Sequence, residues 1–307
     1  MTDVDLIRRS FSEDYDLYKN GGKTYVLKRK PFSENYDLYD LYGNLYTEGG
    51  LAFELKRKPW SSKYDLYKGG ELFSGVIGGV TWLPTNIGGN VIWLRSDYAW
   101  QDAAKSVPCT NNSLIWTGED KSGLVHDVVQ ATEAKRPVYL TNQINGHPAW
   151  RFDSVDDYLK AVAFTLNQPV TIFCVGRHTV DAIMRVWYDG NTWAGMLFYW
   201  NGAAYKWYAE ADLGSGLPIV DSWMILTGKY NGANSEVYLN GTSKGTGNIG
   251  ANNSGGFTLG ANANGVYNMN GDVAEIIVYD SILSDIDRQR VELYLNTEAQ
   301  GTGYAIY

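Results

Sequence analysis

The fold class of this chain is decided by the stretch Asn270-Gly271-Asp272-Val273-Ala274-Glu275-Ile276-Ile277-Val278-Tyr279-Asp280. From Val273 to Val278 the run is almost continuously apolar and contains several β-branched residues, which is typical of a strand in the middle of a β-sandwich. The whole chain of 307 residues contains 34 Gly and 23 Tyr. Such a supply of turn formers and flat rings favours many short strands joined by tight turns.

Similar apolar or alternating runs occur at fairly regular spacing from Asn90 onward, separated by Gly, Asn and Asp turns. The candidate strands are residues 91–94, 149–152, 170–176, 196–200, 224–228, 236–239, 257–259 and 274–279. This spacing predicts an all-β fold, an antiparallel two-sheet jelly-roll sandwich. One short C-terminal helix is predicted after the last strand, where Ser284 can cap a helix that runs from Ile286 through Leu295.

The first 80 residues contain an internal repeat. Its clearest copies are Lys28-Arg29-Lys30-Pro31-Phe32-Ser33-Glu34-Asn35-Tyr36-Asp37-Leu38-Tyr39 and, 28 residues later, Lys56-Arg57-Lys58-Pro59-Trp60-Ser61-Ser62-Lys63-Tyr64-Asp65-Leu66-Tyr67. A shorter copy, Phe11-Ser12-Glu13-Asp14-Tyr15-Asp16-Leu17-Tyr18, precedes them. A turn signal and another β-prone run follow each Tyr-Asp-Leu-Tyr, so each unit is predicted to form a small β-hairpin.

Hairpins that are rich in Tyr and poor in Ile and Val make a thin core, and isolated hairpins are marginal in water. Either the repeats form an anchor that lies on another protein or on symmetry-related copies, or they form a small β-domain folded back on their own chain. The anchor is favoured, and the chain then divides into a repeat segment at 1–75, a linker at 76–90 and a sandwich at 91–300. The aromatic side chains predicted to make the assembly contacts are Tyr15, Tyr18, Phe32, Tyr36, Tyr39, Trp60, Tyr64 and Tyr67.

Charge and cysteine content narrow the function classes. The net charge is −8, so a polyanion such as nucleic acid would be repelled at long range and is not expected as a partner. Cys109 and Cys174 stand in no metal-ligand spacing, which argues against a zinc site or a disulfide framework. No segment approaches the ~20 apolar residues of a membrane span, and the first residues lead into no signal-peptide run. We therefore expect synthesis in the cytosol and no membrane insertion.

Several blocks of the sequence, taken in their order, carry a family resemblance. They are Trp93-Leu94-Arg95-Ser96, Glu119-Asp120-Lys121-Ser122-Gly123, Asn145-Gly146-His147-Pro148-Ala149-Trp150-Arg151-Phe152-Asp153, Val237-Tyr238-Leu239-Asn240-Gly241 and the block from Asn270 to Asp280. Together they resemble the concanavalin A-like lectin/laminin G-like jelly-roll superfamily, in the version common in bacteriophage structural proteins. The resemblance spans about residues 91–296 and implies a jelly-roll domain used for display or recognition.

Three carboxylates, Asp153, Asp156 and Asp157, stand within five residues of one another. They offer the hard oxygen ligands that calcium takes, which makes calcium the one cofactor that the sequence suggests. The other interpretation is that these side chains cap a tight turn, as Asp commonly does. The turn is favoured, because the regular ligand spacing of a calcium loop is missing.

Catalysis has little support in the sequence. The superfamily that this chain resembles includes glycoside hydrolases, whose chemistry needs two carboxylates on either side of the scissile bond. The strand motif Glu-x-Asp-x-x-Glu is absent, and Glu275 has no alternating carboxylate partner. His126, His147 and His178 lie far apart and near no nucleophile motif. No catalytic residue is predicted, and we expect that the chain is not an enzyme.

A candidate ligand platform lies in an aromatic-rich segment at residues 187–208. In a strand, Phe198 and Trp200 point to one side and Tyr199 to the other, so about half of the rings are expected to face outward. Such rings beside Asn and Asp suit both sugar stacking and protein interfaces, while the plainer interpretation is a Trp-rich core. The predicted ligand-binding residues are Trp187, Tyr188, Trp193, Tyr199, Trp200, Tyr205 and Trp207.

These observations lead to one functional expectation. The chain is expected to be a virion structural protein of a bacterial virus, made in the host cytoplasm and displayed on the virion surface. Its repeats would dock on other virion proteins, its sandwich would meet a host-surface glycan or protein, and it would act as a homo-oligomer. A tail-fibre, baseplate or receptor-binding role is favoured. One alternative is a capsid decoration or head-fibre protein, and the other is a carbohydrate-active enzyme or its binding module.

Overall fold

The computed structural model divides the chain into two units, Met1–Trp82 and Leu83–Tyr307. In the first unit the structure describes the backbone of the strands. In the second it describes residues 83–307 apart from 180–184, 193–194, 202–203, 215–220 and 297–302. In the part of the chain thus described, no helix has the length and apolar character that a membrane crossing requires.

The described residues of the first unit form one antiparallel sheet of eight strands. They are β1 (Val4–Arg8), β2 (Tyr15–Lys19), β3 (Gly22–Arg29), β4 (Tyr36–Tyr39), β5 (Thr47–Glu48), β6 (Leu51–Arg57), β7 (Tyr64–Lys68) and β8 (Glu71–Leu72). Their order in the sheet is β1-β2-β3-β4-β6-β7-β8, and β5 pairs with β6. Each Tyr-Asp-Leu-Tyr sequence therefore forms a strand of its own.

Neighbouring strands of this sheet pair in a register that repeats. The arginine that ends the strand before each Tyr-Asp-Leu-Tyr stands opposite the first tyrosine of that motif, in the pairs Arg8–Tyr15, Arg29–Tyr36 and Arg57–Tyr64. The turns of these three hairpins, with Phe32 and Trp60, lie outside the described residues. So do the side chains of the tyrosines in the strands, and the predicted assembly contacts stay predictions.

The second unit contains sixteen strands in a continuous antiparallel ladder. They are β9 (Asn90–Trp100), β10 (Thr117–Asp120), β11 (Val128–Val129), β12 (Val138–Ile144), β13 (His147–Asp153), β14 (Leu159–Ala161), β15 (Val170–His178), β16 (Arg185–Asp189), β17 (Leu197–Trp200), β18 (Tyr205–Tyr208), β19 (Asp212–Leu213), β20 (Met224–Tyr230), β21 (Ser235–Leu239), β22 (Thr242–Gly247), β23 (Thr258–Leu259) and β24 (Asn270–Tyr279).

The ladder forms the predicted sandwich because β9 takes part in both sheets. One sheet runs β9-β10-β11-β14-β23-β16-β17-β18-β19, and the other runs from β9 through β24, β15, β20 and β21 to β22. The β12–β13 hairpin joins the second sheet, where β13 also pairs with β24. The stretch that opened the sequence analysis is β24, which lies between β9 and β15 as a central strand.

The almost continuous apolar character of β24 is explained by cover on both of its faces. Ile276 and Val278 belong to the core between the sheets. On the other face, Glu275 accepts hydrogen bonds from Trp93 Nε1 at 2.7 Å and from the Tyr304 hydroxyl at 2.8 Å. The C-terminal helix α1 (Asp285–Asn296) covers this outer face and places Tyr294 against the ring of Trp93.

The predicted helix is confirmed, with bounds one residue wider at each end. The Ser284 hydroxyl accepts a hydrogen bond from the Asp287 backbone N–H at 3.1 Å and thereby caps the first turn. Asp285 and Asp287 lie in that turn, where negative charge is favourable because of the helix dipole.

Candidate functional site

The predicted aromatic platform lies in the core. Trp187, Tyr188, Trp200, Tyr205 and Trp207 are each at most 1% exposed, so their rings cannot stack on a ligand at the surface. Tyr199 is half-buried, and its hydroxyl donates to Asp212 Oδ1 at 2.9 Å. Trp193 lies outside the described residues. The plainer interpretation, a Trp-rich core, replaces the platform for these five residues.

The burial has a local cause in the strand geometry. Phe198 and Trp200 share the inner face and Tyr199 turns away, as the alternation predicts. Between Val186 and Tyr188, however, the β16–β17 register shifts. Such an irregularity breaks the alternation of side chains, and the neighbours Trp187 and Tyr188 both enter the core.

The three predicted metal-ligating carboxylates do converge. One oxygen each of Asp153, Asp156 and Asp157 lies within 4.8 Å of the others. The same groups also hold their own turn, because Asp153 Oδ1 accepts from Val155 N at 2.8 Å and Asp157 Oδ2 accepts from Asp153 N at 3.1 Å. Burial and the neighbouring carboxylates raise the pKa of Asp157 to about 7. The geometry therefore fits the turn interpretation, and a calcium ion at this cluster stays a prediction.

The two arginines Arg151 and Arg177 form a different cluster, on the face of β24 that is away from the core. Their strands β13 and β15 flank β24, and both residues stand directly opposite Asp272 in the ladder. Asp272 Oδ1 accepts from Arg151 Nε at 2.7 Å, and Asp272 Oδ2 accepts from Arg151 Nη2 and Arg177 Nε, each at 2.8 Å. The carboxylate is fully buried beneath the two guanidiniums.

Side chains around this pair fix the guanidiniums further. Gln143 Oε1 accepts from Nη2 of both arginines, at 3.2 Å from Arg151 and 3.4 Å from Arg177. The Arg177 guanidinium carbon lies 5.1 Å from the centre of the Trp223 ring. We call Gln143, Arg151, Arg177, Trp223 and Asp272 the arginine site.

One edge of the arginine site meets solvent. The side chain of Arg151 is 41% exposed and that of Arg177 is 18% exposed. Among the described residues Arg151 Nη1 has no hydrogen-bond partner, while Arg177 Nη1 donates to the exposed Asp221 at 3.1 Å. The hydrogen bond to Asp272 raises the pKa of Arg151, which keeps this guanidinium charged. The Arg151 guanidinium is held in one orientation by Asp272 and keeps an open donor edge, which suits a planar anionic group.

A glycine beside Asp272 is required for this arrangement. Gly271 lies opposite His178 in the β15–β24 ladder. A Cβ at Gly271 would lie 2.1 Å from the Arg177 carbonyl oxygen. Any side chain would push β15 and β24 apart at the point where Arg177 reaches Asp272.

The three histidines occupy separate places. His126 stacks on Phe164 with ring centres 3.8 Å apart, and His147 meets the Tyr304 ring edge-on at 5.2 Å. His178 is buried and hydrogen-bonds the hydroxyl of Tyr205. Glu275, which the sequence marks as structural, is buried as well, and burial raises its pKa to about 7.

Comparison with known proteins supports the fold. The family model of the concanavalin A-like lectin/glucanases superfamily matches residues 159–287. No curated protein matches the sequence.

Several solved structures are similar to this chain at low identity. An arabinofuranosidase complexed with arabinofuranosyl-alpha-1,2-xylobiose is 14% identical, with a TM-score of 0.48 over 62% of this chain and 51% of that one. The binding domain of Paraclostridial Mosquitocidal Protein 1 is 14% identical, with a TM-score of 0.49 over 70% and 53%. Trypanosoma rangeli sialidase in complex with the inhibitor DANA is 10% identical, with a TM-score of 0.45 over 89% and 51%. The chain thus spans about half the length of each.

The family match confirms the resemblance to the concanavalin A-like superfamily over a shorter span than residues 91–296, and the bacteriophage version of it stays a prediction. The matched residues run from β14 to the first turn of α1 and include β24. The antiparallel sandwich that contains them has the architecture that the resemblance implies. Residues 159–287 of the second unit thus match the concanavalin A-like lectin/glucanases superfamily model within an antiparallel β-sandwich.

Proposed function

We propose that the sandwich unit recognises an anionic saccharide and that the arginine site binds its carboxylate. The observation that carries the proposal is the pair of guanidiniums fixed by one buried carboxylate, with the edge of Arg151 open to solvent. The lectin/glucanase-like fold supports it, because this superfamily includes carbohydrate-binding domains.

The charge balance of the site favours an anion. Two guanidiniums face one buried carboxylate, Asp272, and the second nearby carboxylate, Asp221, is 66% exposed. Water screens an exposed charge of this kind more strongly than a buried one. The net charge of −8 repels anions at a distance, so recognition depends on short hydrogen bonds and less on long-range steering.

The ring of Trp223 supports a saccharide over a simple inorganic anion. It is half-buried, and it borders Arg177. An indole face beside a guanidinium provides an apolar surface for the C–H face of a sugar ring while the guanidinium binds the acidic group. A uronic or sialic type of sugar combines these two features.

The first prediction concerns Arg151. Replacing it with alanine removes the solvent-facing guanidinium, and a charge-assisted hydrogen bond is worth about 1.5–3 kcal/mol. We expect affinity for a carboxylate-bearing glycan to fall at least about tenfold. The glycan would be selected on an array with the full chain, and its affinity measured by calorimetry.

Arg290→Ala is the matched control, since Arg290 is 44% exposed and pairs with Asp287 on helix α1. It should bind like the parent. Arg151→Lys keeps the charge and loses the fork of donors, so its glycan affinity should lie between those of the parent and Arg151→Ala. If a folded Arg151→Ala variant binds as well as the parent, the arginine site is not the binding site. If the folded parent binds no acidic glycan, the proposal of glycan recognition is wrong. Release of reducing sugar would favour the carbohydrate-active enzyme instead.

We further propose that this recognition takes place on a virion of a bacterial virus, where the repeats dock on other virion proteins. The family resemblance in the sequence and the separate repeat sheet support this role. Deleting residues 1–75 should abolish incorporation into particles and leave the sandwich folded, as judged by circular dichroism. Particles that still carry the shortened chain would contradict the anchor. Electron microscopy of the particle would separate the tail role from capsid decoration.

A further inference from the structure

The sheet of the first unit alternates two kinds of strand. We call β1, β3 and β6 the leading strands, because each ends in the arginine that precedes a hairpin turn. We call β2, β4 and β7 the trailing strands, because each begins with the tyrosine of Tyr-Asp-Leu-Tyr. Along the sheet the order is leading, trailing, leading, trailing, leading, trailing.

The register in which a trailing strand pairs with the next leading strand also repeats. Where β2 meets β3, Tyr15 stands opposite Leu27 and Asp16 opposite Val26. Where β4 meets β6, Tyr36 stands opposite Leu55 and Asp37 opposite Glu54. Both leucines precede the terminal arginine of their strand by two residues. A trailing strand therefore accepts the next leading strand in one fixed register.

The two ends of this sheet are complementary. β7 is the last trailing strand, and β8 pairs with it only at Tyr67 and Lys68. On that edge, residues 64–66 have no partner among the described strands. β1 is the first leading strand, and the described strands contain no partner for its outer edge.

We propose that a second copy of this chain fills the gap, with β1 of one copy pairing with β7 of the next. In the internal register, Leu6 lies opposite Tyr64, Asp5 opposite Asp65 and Val4 opposite Leu66. The described residues of β8 stand opposite Tyr67 and Lys68 only. The acidic pair Asp5–Asp65 repeats the pairing of Asp37 with Glu54.

Such an interface is head-to-tail, since the two edges that meet are different. It continues the ladder from copy to copy and forms a ring or a filament, according to the rotation between copies. Pairing also gives hydrogen-bond partners to the backbone N–H and C=O groups of the edge strands, which would otherwise promote aggregation. The inference goes beyond glycan recognition and does not depend on it.

Cysteine cross-linking of the full chain tests the register. In a Cys109→Ser background, Asp5→Cys and Asp65→Cys variants are purified separately, mixed and oxidised. Directly opposed residues have Cα atoms about 4.5–5.5 Å apart, within reach of a disulfide. We expect the monomer band to shift to a dimer band when the two variants are mixed.

Asp16→Cys is the matched control, because Asp16 holds the same place in Tyr-Asp-Leu-Tyr but is paired on both sides, with Ile7 and Val26. Mixed with Asp5→Cys it should give no intermolecular dimer. Analytical ultracentrifugation of the parent should show a mass that rises with concentration to a multiple of the monomer. A monomer at every concentration overturns the proposal. The proposal is also overturned if the parent is an oligomer but the mixture of Asp5→Cys and Asp65→Cys gives no more disulfide-linked dimer than the mixture of Asp5→Cys and Asp16→Cys.

Discussion

Replacing Trp207 by alanine should lower the free energy of unfolding of the sandwich unit by about 3–5 kcal/mol. The indole is fully buried, and its ring centre lies 4.7 Å from that of Phe198. Glycines border it on two sides: a Cβ at Gly228 would lie 2.7 Å from Trp207 Cδ1, and one at Gly214 would lie 2.9 Å from Cε3. The neighbours have little side chain with which to fill the cavity, so the cost should fall in the upper part of this range.

Urea denaturation of the full chain, followed by near-ultraviolet circular dichroism, would measure this change. Trp207→Phe keeps a ring in place and should lower the free energy of unfolding much less than Trp207→Ala. Tyr199→Phe, on the half-exposed side of the neighbouring strand, serves as the surface control. Nearly unchanged stability in Trp207→Ala, together with lost glycan binding, would restore the aromatic platform and refute its place in the core.

Asp272→Ala should have the second large effect, again about 3–5 kcal/mol. The substitution removes the carboxylate that accepts three hydrogen bonds from Arg151 and Arg177. It leaves two guanidiniums side by side, and Arg177 is mostly shielded from water. Glycan affinity should fall with stability, because the guanidiniums then lose the carboxylate that fixes their direction most firmly.

Asp272→Asn separates charge from shape. The amide keeps one acceptor oxygen and the same volume, so its thermal midpoint should lie between those of the parent and Asp272→Ala. Measuring midpoints by calorimetry and glycan affinity at a temperature where all three are folded tests both effects. If Asp272→Ala were as stable as the parent, the carboxylate would not be what holds the arginine pair together.

Local sequence was sufficient for the parts of the fold with local causes. Ser284 and the acids after it predict where α1 begins, and the apolar run of β24 predicts its central place. The Tyr-Asp-Leu-Tyr copies predict strands, and each copy forms one. In each case the deciding residues are close together in the chain.

The aromatic segment shows where a pattern fails. Alternation assigned Phe198, Tyr199 and Trp200 to the correct faces. The register shift between Val186 and Tyr188 depends on how β16 meets β17, and Trp187 with Tyr188 gives no sign of it. One irregular pairing thus left both rings in the core, where strict alternation would have placed only one.

The arginine site could not be predicted for a different reason. Arg151 and Asp272 are 121 residues apart in the chain, and Arg177 and Asp272 are 95 residues apart. The side chains meet only because β13 and β15 pair with the two edges of β24. The available signal was Asp272 itself, an acid near the start of an apolar central strand, since a buried carboxylate requires a cationic partner.

The position of β9 has a mechanical consequence. It is the first strand of the sandwich unit and pairs with β24 from Asn90, opposite Tyr279, to Arg95, opposite Glu275. A pull between the chain before Asn90 and a ligand at Asp272 acts on opposite ends of this ladder. The hydrogen bonds are then loaded in shear and must fail together, whereas peeling would break them one by one. If the domain is tethered and binds as proposed, the β9–β24 ladder would therefore bear tension in shear, and its lifetime would be set by the forced unfolding rate.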